Sequence, residues 1–290
     1  MIVNTGIRRF SGAGPRKKLG RILLSDGATV ANYQPGNFTG TLNASAWLNS
    51  IGAAGALAQA SGANQPIVLS YSGQTYEYSP GVVGNFLSSP NAAITNFTGS
   101  RDIILRLSFD SLATAGFVGI FNSSNAGDTE GVVLLQDTGS SGKLEYAAFI
   151  SGVNRVILTT VSLATAGMSA NVVYYLKVSH NTVAGTVDFS FAADQSIIPT
   201  SWTAIGTQVA ITAGAITAPT GSIIVGQHTN NNLPFSGKIY RAQIYNGIGG
   251  TLVAEFNASD WSETRTNGAT KASSTTGEVW TLNNTGTKLA

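Results

Sequence analysis

Apolar and polar side chains alternate along most of the chain. From Ile103 to Phe109 the odd positions are apolar, while Arg106 and Ser108 occupy even positions. A period of two places alternate side chains on opposite faces of a strand, so this pattern predicts a half-buried β-strand. Similar patterns predict strands at residues 143–149, 172–179, 186–191, 222–225, 238–245, 252–256 and 279–282.

Clusters of Gly, Asn, Ser and Thr separate the predicted strands, and segments with a helical period are rare. Many short strands without intervening helices indicate an antiparallel sandwich or barrel. Asn246-Gly247 lies between two predicted strands and favours a tight hairpin turn, because both residue types tolerate positive φ. The Ala-rich run at 44–60 is the one helical candidate, but Gly52 and Gly55 disfavour a helix, and a loop with a short helical turn is an equal alternative.

Charged residues are scarce. The 16 basic and 14 acidic side chains make up 10% of the 290 residues, whereas 43% are hydrophobic. A disordered chain lacks apolar residues, so that class is excluded. No run reaches the about 18 consecutive apolar residues of a membrane helix, and we expect no membrane insertion. The chain has no cysteine, so stability must come from the core rather than from disulfides or thiolate metal sites.

Basic residues are concentrated at the N-terminus. Residues 1–21 carry six basic side chains and no acidic one, a net charge of +6, whereas residues 22–290 carry ten basic and fourteen acidic ones, a net charge of −4. Such blocks are typical of solvated interaction arms, which bind acidic protein surfaces or nucleic acid through charge. We predict that this arm anchors the protein through Arg8, Arg9, Arg16, Lys17, Lys18 and Arg21.

The same basic segment lacks the features of two common targeting signals. No apolar stretch of about 7–15 residues follows the charges, so a secretory signal peptide is not expected. A mitochondrial presequence is a weaker alternative, because Gly12, Gly14 and Pro15 would break its amphipathic helix. The chain is therefore divided into an extended basic N-terminal arm at 1–30 and one sandwich domain at 31–290.

Candidate catalytic and metal-binding side chains are few. His180 and His228 lie far from any nucleophile signature or metal-ligand spacing, which favours strand-end or loop positions for both. Asp128-Thr129-Glu130 lies in a loop rich in Gly and Asn, and fits a solvated turn better than a Ca²⁺ site. We expect no catalytic residues, no metal and no cofactor.

Aromatic and amide side chains leave glycan binding open. Sugars are held by aromatic faces together with Asn and backbone groups on loops, although Trp in a sandwich more often packs in the core or at the rim. The candidate glycan-binding residues are Trp202 and Trp261, with Asn230 and Asn231 from the Asn-rich loop.

The C-terminal half resembles a known family. The stretch Pro234 to Phe256 (PFSGKIYRAQIYNGIGGTLVAEF), followed by Thr276 to Leu282 (TGEVWTL), resembles the closing strands of concanavalin A-like, laminin G-type sandwich domains of tailed-bacteriophage virion proteins. Residues 78–90 and 101–109 resemble the early strands of the same family. The resemblance spans about residues 40–290, is most specific at 234–256, and does not cover the arm.

The resemblance implies a two-sheet jelly roll and a place on a phage particle, as a capsid decoration, tail or fibre component. The family also includes glycan hydrolases and metal-dependent lectins. Its Glu-x-Asp-x-x-Glu glucanase run and the acid-rich Ca²⁺/Mn²⁺ loop of its legume lectins are both missing from this sequence. A polysaccharide-cleaving enzyme is therefore the weakest of three hypotheses.

The sequence thus predicts an all-β protein, an antiparallel two-sheet jelly-roll sandwich of the concanavalin A-like type with an extended N-terminal arm. We expect a non-enzymatic structural protein of a tailed-phage virion, made in the host cytoplasm and assembled as a homo-oligomer. Its arm would bind other virion proteins of the capsid or tail. The alternative is a glycan-binding adhesin module that recognises host surface sugar.

Overall fold

A computed structural model of the chain describes residues 22–25, 28–31, 46–47, 57–58, 67–71, 74–90, 97–113, 116–125, 127–137, 139, 142–228, 233–261 and 268–284. The chain divides into two compact units, one ending at residue 60 and the other beginning at residue 61. The predicted arm residues, from Arg8 to Arg21, lie outside the described residues. The predicted boundary at residue 30 stays a prediction.

Among its described residues, the first unit contains two short antiparallel strand pairs. Strand β1 (Ile22–Ser25) pairs with β2 (Ala28–Ala31), and β3 (Ala46–Trp47) pairs with β4 (Leu57–Ala58). The second pair lies within the Ala-rich run at 44–60, so a continuous helix there is wrong. The strand ends flank Gly52 and Gly55, the two residues least suited to a helix interior.

The second unit is built from nineteen strands and one short 3-10 helix among its described residues. In chain order they are β5 (Ile67–Tyr71), β6 (Gln74–Pro80), β7 (Asn85–Ser89), β8 (Arg101–Phe109), β9 (Val118–Asn122), β10 (Val132–Asp137), β11 (Lys143–Ile150), β12 (Val153–Leu158), β13 (Tyr174–Asn181), β14 (Thr186–Ala193), β15 (Thr203–Ala204), β16 (Val209–Ala210), β17 (Ile223–Val225), β18 (Gln227–His228), β19 (Leu233–Pro234), β20 (Ser236–Asn246), β21 (Thr251–Asn257), η1 (Ala258–Asp260), β22 (Thr270–Ala272) and β23 (Val279–Asn284).

Two large antiparallel sheets form a sandwich. The smaller sheet has eight strands in the order β12-β11-β10-β9-β17-β7-β23-β22, and the larger has nine. The order of the larger sheet is β15-β14-β13-β8-β20-β6-β5, with β16 also paired to β14 and β21 to β20. The chain crosses repeatedly between the sheets, as a jelly roll does. The predicted all-β, antiparallel two-sheet jelly-roll sandwich is confirmed.

The inner faces of the two sheets share one hydrophobic core. On β8, the side chains of Ile103, Leu105, Leu107 and Phe109 are all buried in it, which confirms the predicted strand. The strand is not half-buried as predicted, because its other face is covered as well, and only Arg106 on that face is partly exposed. From the other sheet, Trp280 is 2% exposed and packs edge-on against Phe256, with ring centroids 5.7 Å apart. Apolar side chains interdigitating between two sheets are the main source of stability for such a fold.

The smaller sheet is also covered on its outer face. Val133, Leu135, Ala147 and Phe149 form a second, outer cluster, so β10 is buried on both faces. The ribbon of β18 and β19 crosses this face at Gly119, where an added Cβ would lie 2.6 Å from the Leu233 carbonyl oxygen and closer still to the backbone nitrogen of His228. Only a residue without a side chain permits this approach.

The hairpin predicted around Asn246-Gly247 is confirmed, since β20 pairs with β21 in antiparallel register. Its connection is longer than the predicted tight turn. Asn246 is still in the strand, paired with Thr251, and the loop comprises residues 247–250. Gly247 (φ 93°) and Gly249 (φ 61°) supply the left-handed conformations that this loop needs.

Candidate functional site

The predicted glycan-binding residues do not come together in the described structure. Trp261 follows η1 and is only 7% exposed, as part of the hydrophobic core. Trp202 lies beside β15 and is half-buried, with the ammonium of Lys177 4.6 Å from its ring centroid. Asn230 and Asn231 lie outside the described residues. Binding of sugar through Trp261 would require its ring to become accessible.

The outer face of the larger sheet holds a cluster of charged and aromatic side chains. Arg106 donates two parallel hydrogen bonds to Asp194, from Nε to Oδ1 at 2.6 Å and from Nη2 to Oδ2 at 2.8 Å. Its guanidinium carbon lies 4.9 Å from the ring centroid of Tyr240 and 5.9 Å from that of Tyr175. Burial alone would lower the pKa of Arg106, but the bonds and charge of Asp194 raise it overall. The group therefore stays cationic.

Sequence reasoning missed this cluster. The alternation in β8 placed Arg106 on the outer face, but Asp194 is 88 residues away in the chain and nothing in the local pattern connects the two. The contact between Lys177 and Trp202 could not be predicted from the local sequence either, because Lys177 belongs to β13 and Trp202 follows β14. Antiparallel pairing of β13 with both β8 and β14 brings these side chains onto one surface.

The loop containing Asp128 and Glu130 is held together by its own carboxylates. Glu130 accepts hydrogen bonds from the backbone N–H and hydroxyl of Thr220 and from the N–H of Gly221. Asp128 accepts from the hydroxyl of Ser124 at 2.7 Å and lies 3.3 Å from Nε2 of His228. The two carboxylates thus accept hydrogen bonds from different partners. Among the described residues, no group of three His, Asp or Glu side chains could hold a metal ion.

A polar cluster lies inside the core at the end of the sandwich where β8 begins. Arg101 is 3% exposed and donates a hydrogen bond from Nη2 to the carbonyl oxygen of Phe97 at 2.7 Å. Its guanidinium carbon lies 4.5 Å from the centroid of the Phe97 ring. Opposite it on β13, the imidazole of His180 is hydrogen-bonded through Nδ1 to the hydroxyl of Tyr146 at 3.1 Å. Burial and the charge of Arg101 lower the pKa of His180 to about 4.

This cluster is closed to substrates. Arg101 borders a cavity of about 10 Å³, which is the lower limit for a single water molecule. His180 is 0% exposed and its Nε2 makes no hydrogen bond. At neutral pH the imidazole is uncharged, and its part in the structure is to fill the core beside a buried cation.

A shallow groove lies at the same end of the sandwich. Its volume is about 470 Å³, and it is lined by Thr98 and Gly99 before β8, by Thr182 and Val183 after β13, and by Gly214. Volumes of this order are typical of small-ligand sites. The lining offers small side chains, two threonine hydroxyls and backbone groups, and none of the described residues that form it is ionisable. No single sequence motif marks it, since three separate loops form it.

Comparisons with known proteins give only distant structural similarities. No family model and no curated protein matches the chain. Among solved structures, a heptameric SAP-like pentraxin from Limulus polyphemus is 13% identical, covering 57% of this chain and 76% of that one, with a TM-score of 0.35. The receptor-binding domain of botulinum neurotoxin mosaic serotype C/D is 12% identical over 64% of this chain and 48% of that one, with a TM-score of 0.36.

The binding domain of botulinum neurotoxin serotype D is 13% identical over 62% of this chain and 47% of that one, with a TM-score of 0.33. The chain thus spans about half the length of the two toxin domains. At these identities and TM-scores the similarities carry no argument about ligand, partner or activity. Among the described residues, no helix is long and apolar enough to span a membrane. In its described part, the chain is a two-sheet antiparallel jelly-roll sandwich.

Proposed function

We propose that the protein is a non-enzymatic structural component of a tailed-phage virion, in which residues 1–21 attach to other virion proteins and the sandwich is displayed on the particle. The observation that carries this proposal is the separation of charge along the chain. Six basic side chains and no acid occupy the first 21 residues, while the remainder has a net charge of −4. A segment with this positive charge is attracted electrostatically to an acidic partner surface.

The carboxylates of the sandwich support a structural role. Asp110 accepts hydrogen bonds from Tyr78 and Ser236, and Asp260 accepts two from Ser274. Together with the Arg106–Asp194 pair and the bonds to Glu130, these contacts tie neighbouring strands and loops to one another. A catalytic acid pair would instead face a cleft with its oxygens available to substrate. The resemblance of residues 234–256 to virion sandwich domains supports the location on a particle.

Particle incorporation tests the attachment role. We would replace the six basic residues of segment 1–21 by Gln and, in a matched control, exchange each Arg for Lys and each Lys for Arg. The Gln variant is expected to fold with an unchanged circular dichroism spectrum and to fall at least about tenfold in purified particles measured by mass spectrometry, because the charge attraction is lost. The exchanged control should incorporate normally. Normal incorporation of the Gln variant would refute the proposal.

A second candidate function is recognition of host surface glycan, and the groove beside Thr98 and Thr182 favours it. Its hydroxyl and backbone groups can exchange hydrogen bonds with sugar hydroxyls. On a glycan array the protein should then bind a sugar, and Ala213→Trp, which fills the groove, should abolish the signal. Ala164→Trp, at an exposed alanine elsewhere, should leave it unchanged. An array without any signal from the unmodified protein would end this candidate.

A further inference from the structure

Strand β12 is an exposed edge of the smaller sheet. It pairs with β11 along its whole length, and the sheet order ends with it. Val153 is 46% exposed and Val156 is 49% exposed. Proteins usually protect such edges with Pro, a bulge or several charges. β12 has a regular register, no Pro, and Arg155 as its one charged residue.

The hydrogen bonds of β11 determine which backbone groups of β12 face outward. The N–H of Thr159 donates to the carbonyl of Leu144 at 2.9 Å, just beyond the end of the strand pair. Bonded positions alternate along an antiparallel pair, so residues 157, 155 and 153 also face β11. Asn154, Val156 and Leu158 therefore direct their N–H and C=O groups away from the sheet. Among the described residues, no hydrogen bond satisfies these six groups.

These outward groups are arranged to pair with a copy of themselves. When Val156 is placed opposite Val156 on a twofold axis perpendicular to the sheet, Asn154 lies opposite Leu158, and all three outward residues form hydrogen-bonded pairs. Arg155, whose backbone N–H and C=O groups face β11, then lies opposite Ile157 of the other copy. Shifting the register by two residues would place Arg155 opposite Arg155, where like charges repel.

We propose that a second copy of the chain pairs with β12 in antiparallel register, with Val156 of each copy opposite Val156 of the other. The three hydrogen-bonded pairs supply two bonds each, and the two smaller sheets become one continuous sheet across the dimer. The exposed side chain of Val156 and the half-buried side chain of Leu158 are covered on the outer face, where β12 carries no charge. None of the β12 residues that form this interface belongs to the basic arm or to the groove, so the proposed dimer does not rest on the proposed function.

The oligomeric state of the full chain tests the interface. By light scattering after size exclusion, the unmodified protein should have twice the chain mass of 29.9 kDa. Val156→Lys should be a folded monomer, because two ammonium groups would meet at the twofold axis. The matched control is Val183→Lys, at a valine that is 87% exposed in the β13–β14 turn, and it should remain a dimer. A folded, monomeric unmodified protein overturns the proposal, as does a dimer that Val156→Lys leaves intact.

A cysteine substitution tests the register directly, because the chain contains no cysteine of its own. Facing residues of a hydrogen-bonded antiparallel pair have Cα atoms about 5.5 Å apart, within disulfide range. Val156→Cys should therefore form a covalent dimer on mild oxidation. Asn154→Cys is the control, since its two copies would be separated by four residues along the strand, about 14 Å. Equal crosslinking of the two variants, or crosslinking of neither, overturns the register.

Discussion

At the scale of single residues, the sandwich buries ionisable side chains. The alternating sequence pattern predicts the strands that carry them but not that these side chains are buried. Glu77 on β6 lies opposite Ile239 and is 0% exposed, and neither carboxylate oxygen has a hydrogen-bond partner. Burial raises the pKa of Glu77 well above its usual value, which favours the neutral form of the acid. The pKa of His180 is shifted the other way: burial and the charge of Arg101 lower it, and the imidazole is therefore neutral.

The pH dependence of stability should reveal His180. The folded protein keeps the imidazole neutral down to about pH 4, whereas the unfolded chain takes up a proton near pH 6.5. Stability is therefore lost as the pH falls from 6.5 to about 4, by up to about 3 kcal/mol for this group. Urea unfolding across this range should show a shallower loss in the double variant Tyr146→Phe with His180→Phe, which removes both hydrogen-bonding partners together.

The single variant Tyr146→Phe is the control for that experiment. It should keep the pH dependence of the unmodified protein and lose about 1 kcal/mol at every pH, because only the hydrogen bond to His180 is removed. If the double variant and the unmodified protein lose stability in parallel between pH 6.5 and about 4, His180 is not the titrating group.

At the scale of elements, the predicted strands are those in which apolar and polar residues alternate. Strands without this alternation were not predicted. The strand predicted at 143–149 is β11, and that predicted at 238–245 is part of β20. β10 was not predicted as a strand because its residues are buried on both faces, which removes the alternation. β12 escaped for the opposite reason, since most of its residues are exposed. A period-two pattern requires two faces of different polarity, and only tertiary packing decides how far each face is buried.

The ribbon over the smaller sheet should depend on Gly119. In Gly119→Ala the added methyl group would collide with the backbone of β18 and β19 rather than with flexible side chains. We expect a loss of about 1–3 kcal/mol in the free energy of unfolding, measured from the denaturant midpoint. Gly99→Ala is the control, because no atom lies within 4 Å of the position of its Cβ, and it should change stability little. Equal stability of the two variants would show that the ribbon does not lie against Gly119.

At the scale of the whole molecule, the two sheets act as one unit because residues from each complete the core of the other. Trp280 of the smaller sheet donates its indole N–H to the carbonyl oxygen of Glu255, on β21 of the larger sheet, at 2.9 Å. The Glu278 carboxylate accepts from the same N–H at 2.8 Å and from the backbone N–H of Glu255. Packing and hydrogen bonding thus couple the sheets at the same residue.

Removing Trp280 should destabilise both sheets together. Trp280→Ala is expected to lose about 3–5 kcal/mol, the usual cost of truncating a buried tryptophan. Thermal unfolding followed by circular dichroism and by tyrosine fluorescence should then show one transition at the same lowered temperature with both probes. Trp202→Ala, at the half-buried tryptophan beside β15, should change the transition far less. Separate transitions for the two probes would contradict a shared core.

The class of fold follows from the sequence alone, because alternating side chains and frequent turn residues need nothing beyond their neighbours in the chain to specify strands. The sequence also determines the separation of a basic N-terminus from a mildly acidic remainder, which is a matter of counting. Long-range packing is needed to establish which strands are edges, that Trp261 is buried while Trp202 is half-buried, and that Arg106 pairs with Asp194. Each of these depends on strands that are distant in the chain and adjacent in a sheet, and sheet order is set by the packing of the whole core rather than by any local pattern.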